Sequence, residues 1–225
     1  MSLRIACDID GVVADMDGAL RRVAATALAT SGRDAPGDEP AEHPLALTAA
    51  EQRGAWRAAR QRHNFWETLE PLERGVLPRL RQLSLERRWH VVFLTQRPTC
   101  AGDSVQIQTQ RWLHRHGFDH ASVLIVPGTR GQLATALGLD VAIDDVPKYC
   151  LDVKIDSRAR ACLIWRHDES ALPPGTRNTG LEVFPSLSAC LDLLETLGLE
   201  RRSARPPRLA GALLRRLGLA PPQIS

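Results

Sequence analysis

Residues 3–14 read LRIACDIDGVVA, and this stretch decides the fold. A short apolar run leads to two aspartates, Asp8 and Asp10, and then to Gly11. Side chains two positions apart point to the same side of a strand, and a glycine releases the chain into a tight turn. Both carboxylates can therefore reach one small volume, where they repel each other unless a cation or a shared proton offsets the charge. The segment predicts a divalent metal site in which one carboxylate can also attack.

Length and composition set the class of protein. The chain of 225 residues is long enough for one domain, or for one domain with a smaller insertion. Its net charge of +3 does not by itself indicate a nucleic-acid partner, which would require clustered basic residues. The five cysteines are widely spaced, which favours reduced thiols over disulfides or zinc. The chain shows no membrane span and no signal peptide, so we expect a cytoplasmic protein.

Hydrophobic periodicity predicts strands that alternate with helices. The predicted strands cover residues 3–8, 89–95, 122–126, 140–144, 161–165 and 182–184. The predicted helices cover residues 15–29, 48–62, 76–85, 103–116, 130–137 and 186–197, the last with Gly198 at its end. This alternation is typical of an α/β protein with a parallel, Rossmann-like sheet.

The segment between the first two strands is too long for a simple crossover. We therefore predict a small helical cap over residues 16–75, inserted into an α/β core made of residues 1–15 and 76–200. Within the cap, residues 30–47 read as a loop, and Thr48 with Glu51 forms a capping box that starts a helix. Residues 201–225 form a basic tail whose leucines suggest a short amphipathic helix, either docked on the domain or frayed.

Polar side chains stand at the ends of several of these strands. Parallel sheets bind ligands beyond the carboxyl ends of their strands, which brings the following residues together: Asp8, Asp10, Thr95, Asp144 and Asp145. Taken alone, the Asp8-Ile9-Asp10-Gly11 pattern is also compatible with a helix N-cap. With the second carboxylate pair and the strand-end threonine in order, the pattern predicts a single site.

These motifs resemble those of the haloacid dehalogenase superfamily. Residues 8–13 are similar to its first motif, Leu94-Thr95 to its second and Ile143-Asp144-Asp145 to its fourth. Within the superfamily the chain looks most like the 5′(3′)-deoxyribonucleotidase-type phosphatases. That further resemblance is carried by Asn64-Phe65-Trp66, by residues 94–98 and by residues 111–118.

The resemblance implies a chemistry for each carboxylate. Asp8 would attack phosphorus and form an aspartyl-phosphate, and Asp10 would act as the general acid and base. Mg²⁺ is the implied cofactor, since it prefers oxygen ligands. Its ligands would be the Asp8 carboxylate, the Asp10 carbonyl and Asp144, with Asp145 bound directly or through water.

Phosphate binding would involve Thr95 and Gln96, together with a cation from the third motif. The family expects a lysine there, and this chain has Arg130 instead. Arginine neutralises phosphate but has a different shape from an ammonium group. Lys148, placed in the loop after the aspartate pair, is the alternative cation. The sequence leaves both open, along with the interpretation that both are surface charges.

Phe65 and Trp66 are the predicted substrate pocket, as a wall on which a base could stack. They could equally belong to the core of the cap. A closed pocket near them would favour a mononucleotide, whereas a broad basic groove across the cap would favour nucleic acid.

The sequence therefore predicts a Mg²⁺-dependent phosphatase for a small phosphomonoester, with nucleoside monophosphates favoured. The alternatives are a non-catalytic relative that binds phosphorylated ligands or a partner protein, and a phosphatase for sugar phosphates or nucleic-acid ends. We expect a small phosphorylated substrate, no membrane partner and no nucleic-acid partner, and we leave a homodimer open.

Overall fold

The computed structural model describes residues 2–30, 47–126, 128–174 and 176–203. Residues 31–46 of the predicted loop and the tail beyond residue 203 lie outside the described residues. Within the described residues, no helix combines the length and the apolar character that crossing a membrane requires.

Six parallel strands form one sheet in the order β3-β2-β1-β4-β5-β6. Their bounds are β1 Arg4–Asp8, β2 His90–Thr95, β3 Ser122–Ile125, β4 Val141–Asp144, β5 Arg160–Ile164 and β6 Glu182–Phe184. β1 lies at the centre, with β2 and β4 on its two sides. The chain first winds outward through β2 and β3 and then returns to β4. The carboxyl ends of β1 and β4 therefore form the switch point at which such sheets bind ligands. The predicted α/β class with a parallel sheet is confirmed.

Helices occupy most connections between the strands. Their bounds are α1 Met16–Thr30, α2 Ala49–Gln61, α3 Val76–Arg87, α4 Val105–Arg115, α5 Arg130–Leu137, α6 Pro147–Asp156 and α7 Leu187–Ser203. α6 replaces the loop expected after the aspartate pair. Pro147 stands in its first turn, where the missing N–H costs nothing. α7 continues through Gly198, so this glycine does not end the helix as predicted.

The inserted segment shares its core with the sheet. The capping box at the start of α2 is present, because the Thr48 amide donates to the Glu51 carboxylate over 2.8 Å and the Thr48 hydroxyl accepts from the Glu51 amide. Ala55 and Ala59 of α2 belong to the same buried cluster as Ile5 of β1. The division into residues 1–15 with 76–200, 16–75 and 201–225 stays a prediction.

Candidate active site

A cavity of about 470 Å³ opens at the carboxyl ends of β1 and β4. The aspartates predicted to converge all line it, namely Asp8, Asp10, Asp144 and Asp145. Its other walls include Trp56, Gln96, Arg97, Pro98, Arg130, Tyr149, Trp165, Arg166 and His167. The cavity lies between the carboxyl ends of the strands and Trp56 of α2.

Gly11 allows the turn after β1 to lie close to the carboxylate of Asp145. Its φ of +84° lies in the region that favours glycine, and its amide donates to the Ala14 carbonyl over 3.0 Å. A Cβ atom at this position would collide with the carboxylate of Asp145. The turn after β1 therefore requires glycine both for its backbone conformation and for space.

Arg130 lies at the floor of the cavity, where it contacts the aspartates at the ends of β1 and β4. It begins α5, and its Nη2 donates to Oδ1 of Asp8 while its Nε donates to Oδ2 of Asp144 over 3.3 Å. The Arg130 side chain is only 4% exposed, and its Cζ lies 5.1 Å from the centroid of the Tyr149 ring. Its Nη1 is buried and has no hydrogen-bond acceptor among the described residues. One strong donor thus remains unsatisfied beside the predicted nucleophile.

Lys148 does not share this position. It is exposed near the start of α6 and does not belong to the cavity lining. The difference arises because residues 147–156 form a helix instead of a loop that could fold back over the site. Of the two cations that the sequence left open, Arg130 is the one placed beside Asp8.

Arg97 holds Asp10 in place. Its Nε lies 3.0 and 2.9 Å from the two oxygens of the Asp10 carboxylate, and its Nη2 lies 2.7 Å from Oδ1. Its Nη1 donates to the Thr109 hydroxyl over 3.1 Å, and its Cζ lies 5.0 Å from the centroid of the Trp66 ring. The Arg97 side chain is 0% exposed, so the guanidinium is part of the framework under Asp10.

Thr95 supports the same carboxylate. Its hydroxyl donates to Oδ2 of Asp10 over 3.4 Å and accepts from the Arg97 amide over 3.1 Å. Thr95 is 1% exposed and does not line the cavity, whereas Gln96 does. The Thr95 hydroxyl is thus engaged behind Asp10, and its direct contact with phosphate stays a prediction.

Phe65 and Trp66 lie in the core. Each is 1% exposed, and neither lines the cavity. The Trp66 indole N–H donates to the Pro98 carbonyl over 3.0 Å, which fixes the loop after β2. Trp56 of α2 is the tryptophan of this segment that lines the cavity. The expectation of a stacking wall at Phe65 and Trp66 is thus corrected to a core position, since the 3₁₀ turn they begin packs on α4.

The cavity residues that sequence reasoning missed include Tyr149 and Arg166. The Tyr149 hydroxyl donates to Oε1 of Gln96 over 2.9 Å, which bridges the two walls. Arg166 follows β5 and donates to the Val12 carbonyl over 2.9 Å and to Glu73 over 2.6 Å. The position of Arg166 just past a buried strand was the signal that could have identified it.

Electrostatics in the cavity favour a cation. Burial and the nearby Asp144 raise the pKa of Asp8 well above its ordinary value, although Arg130 opposes the shift. Burial also raises the pKa of Asp144, and burial with the Asp144 charge raises the pKa of Asp145 to about 7. With Asp15 and Asp17, the lining contains six aspartates and three arginines, the latter being Arg97, Arg130 and Arg166.

This donor set fits a hard divalent cation such as Mg²⁺, which takes carboxylate, carbonyl, water and phosphate oxygens. The described residues contain no group of three or more His, Cys, Asp or Glu side chains already arranged to hold a metal ion. A bound metal would therefore rely on main-chain, water and substrate oxygens in addition to the aspartates.

The fold is similar to that of solved hydrolases of the haloacid dehalogenase family. A HAD family hydrolase from Deinococcus radiodurans R1, solved with bound phosphate and sodium, is similar with a TM-score of 0.58 at 12% identity, over 88% of this chain and 97% of that chain. A phosphonoacetaldehyde hydrolase-like protein from Oleispira antarctica is similar with a TM-score of 0.51 at 12% identity, over 92% of this chain and 96% of that chain. At these identities the likeness shows the fold.

The family is shown by the sequence. Residues 2–164 match the family described as 5′ nucleotidase, deoxy (pyrimidine), cytosolic type C protein (NT5C), and the chain belongs to this family. No curated protein matches the chain in sequence.

Proposed function

We propose that the chain hydrolyses phosphomonoesters, with nucleoside monophosphates as the substrate class and Mg²⁺ as the cofactor. The observation that carries the proposal is the buried Arg130, which joins Asp8 to Asp144 and keeps Nη1 without an acceptor among the described residues. An unsatisfied buried donor costs roughly 1–3 kcal/mol, and a phosphate oxygen would remove that cost. This placement favours an enzyme over a non-catalytic relative, for which the cations would point to solvent.

Asp8 acts as the nucleophile in this proposal. A bond forms between a carboxylate oxygen of Asp8 and phosphorus while the bond from phosphorus to the ester oxygen breaks. The Arg130 contact neutralises negative charge at the point of attack. Water then cleaves the aspartyl-phosphate and releases inorganic phosphate and free Asp8.

Asp10 moves the protons. It gives a proton to the departing ester oxygen in the first step and takes one from the attacking water in the second. Arg97 and Thr95 hold both of its oxygens, so the carboxylate keeps one orientation through the two steps.

A bound Mg²⁺ would supply positive charge that lets an anionic nucleophile approach an anionic phosphate. The carboxylates of Asp8 and Asp144 and the carbonyl of Asp10 would hold it, with Asp145 directly or through water.

The walls of the cavity support a nucleoside as the leaving group. Trp56, Tyr149 and Trp165 line the cavity, and a flat base can pack against such rings. The volume of about 470 Å³ is within the range of small-ligand pockets. The family description, which names deoxy and pyrimidine nucleotides, points to the same class.

The test is phosphate release from a panel of 5′- and 3′-nucleoside monophosphates and sugar phosphates, with and without Mg²⁺. We expect release from nucleotides only with Mg²⁺, and loss of turnover by at least about 1,000-fold in Asp8→Asn and in Asp10→Asn. Circular dichroism of both variants checks that the fold is kept. Unchanged turnover in Asp8→Asn would overturn the mechanism.

The five cysteines are free, which supports the cytoplasm as the proposed compartment. A homodimer stays a prediction.

A further inference from the structure

One face of α2 carries a row of arginines. Arg53, Arg57 and Arg60 are four and three residues apart, a spacing that places them on the same side of a helix. All three are exposed, while Ala55 and Ala59 on the other side of α2 are 1% exposed and packed in the core. Within the described ranges, no carboxylate forms an ion pair with any of the three arginines.

These arginines line a groove that adjoins the catalytic cavity. The groove has a volume of about 770 Å³ and is also lined by Trp56, Gln61, Gln96 and Pro98. Of these, Trp56, Gln96 and Pro98 line the catalytic cavity as well. A ligand bound in the cavity is therefore close enough to the groove to reach the arginine row past these three residues. The whole chain has a net charge of only +3, so the row is a local concentration of charge.

We propose that Arg53, Arg57 and Arg60 form a second phosphate-binding subsite. The preferred substrate then carries at least one phosphate group besides the one that is cleaved. This inference rests on the proposed function, because it assumes that the scissile phosphate lies at Asp8. Arginine is suited to the role because its planar fork matches two phosphate oxygens at once.

The dimensions of the helix support more than one contact. At 1.5 Å of rise per residue, Arg53 and Arg60 are separated by about 10 Å along the axis of α2. The row of arginines can thus contact several anionic groups of an extended ligand instead of only one. Trp56 stands at the junction of cavity and groove, where its ring can stack on the base between two phosphates.

Two kinds of molecule contain such a second phosphate. One is a nucleoside 3′,5′-bisphosphate, and the other is a short oligonucleotide with a terminal phosphate, in which the next phosphodiester takes the second place. The chemistry recognised by the arginines is the same in both, and kinetics with each compound separates them.

The experiment compares a nucleoside 5′-monophosphate, the matching 3′,5′-bisphosphate and a 5′-phosphorylated dinucleotide in steady-state kinetics with Mg²⁺. We expect a lower KM for at least one of the two larger substrates than for the monophosphate. In the triple variant Arg53→Gln, Arg57→Gln, Arg60→Gln this preference falls by about tenfold, mainly through KM. Raising the salt concentration weakens the preference of the wild type and has less effect on the variant.

Arg158→Gln is the matched control. Arg158 is an exposed arginine that precedes β5. It therefore lies at the amino ends of the strands, whereas the site lies at their carboxyl ends. The Arg158→Gln variant should keep the wild-type preference for the larger substrate. The larger substrate with the lower KM identifies the source of the second phosphate.

Binding to Asp8→Asn separates this inference from the proposed function. Calorimetry with the three compounds measures affinity without turnover. Tighter binding of a larger compound, lost in the triple arginine variant, supports the subsite even if no phosphate is released. Equal affinity for all three compounds overturns the subsite and leaves the phosphatase proposal to the turnover assay.

Discussion

The floor of the catalytic cavity and the wall of the groove beside it use arginine in opposite ways. On the floor, the side chains of Arg97 and Arg130 are 0% and 4% exposed, and each is bound to a strand-end aspartate. On the wall, Arg53, Arg57 and Arg60 of α2 are exposed and, among the described residues, have no carboxylate partner. A buried, preorganised guanidinium is suited to stabilise charge during a reaction, whereas an exposed one mainly attracts and orients a ligand. The floor should therefore govern kcat and the wall should govern KM.

Among the arginines, the largest effect is expected on the floor, from Arg130→Met. This variant leaves Asp8 and Asp144 buried without their cation, and we expect kcat to fall by about 100- to 1,000-fold. Arg130→Lys should recover part of the loss, because an ammonium supplies the charge but not the fork that reaches both carboxylates. The measurement is steady-state kinetics, with urea unfolding as a control for stability. A variant that keeps kcat and raises only KM would show that floor and wall do not differ in this way.

Arg97→Met tests the other half of the floor. Asp10 would lose its charged partner and the carboxylate would be free to rotate, so we expect kcat to fall by roughly 10- to 100-fold. Thr109→Val is a milder companion, since it removes only the 3.1 Å contact that anchors the guanidinium. It should cost less than Arg97→Met in the same assay. An equal or larger loss in Thr109→Val would mean that Thr109 acts on the site through more than its contact with Arg97.

The third prediction concerns Glu73, which binds the cavity residue Arg166. The Glu73 carboxylate accepts from Arg166 over 2.6 Å, from the Leu187 amide over 2.7 Å and from the Ser188 amide over 3.0 Å. Burial by itself would raise the pKa of Glu73, but the hydrogen bond from the Ser188 hydroxyl, over 2.7 Å, and the three others hold it below its ordinary value. We expect Glu73→Gln to lower the free energy of unfolding at pH 7 by about 2 kcal/mol.

The pH dependence of this effect has a definite sign. Because the folded pKa of Glu73 is the lower one, its contribution to stability is present above the unfolded value, 4.5 for this group, and is lost as the pH falls through the folded pKa. Urea unfolding of wild type and Glu73→Gln at pH 7 and at several pH values below 4.5 measures the difference. It should shrink as the pH falls. A difference that is constant with pH would mean that the ionised carboxylate is not its source.

The smallest effect is expected from Lys148→Gln. Lys148 is exposed on α6 outside the cavity lining, so kcat and KM should stay within about twofold of the wild type. The same substrates and conditions as for Arg130→Met make the two variants comparable. A loss of more than tenfold in Lys148→Gln would move the catalytic cation from Arg130 to Lys148.

Much of the fold follows from local patterns. The apolar runs that end in Asp8, Thr95 and Asp144 are strands, and α5 spans residues 130–137 as predicted, with Gly138 as its C-cap. The errors occur where local signals are ambiguous. α6 was missed because its short apolar pattern follows a proline, and α7 passes through Gly198 because packing can outweigh the low helix propensity of glycine.

The sequence by itself determined which strand-end carboxylates converge and to which family the chain belongs, since the order of strands along the chain and the motifs at their ends are local properties. Only the tertiary structure decided that Arg130 and not Lys148 lies beside Asp8, that Thr95 supports Asp10, and that Trp56 replaces Phe65 and Trp66 in the cavity wall. These outcomes depend on the directions of side chains far apart in sequence, which are set by how helices pack on the sheet. The row of arginines on α2 depends on both the sequence and the tertiary structure. Its spacing is visible in the sequence, and its position beside the cavity is set by the fold.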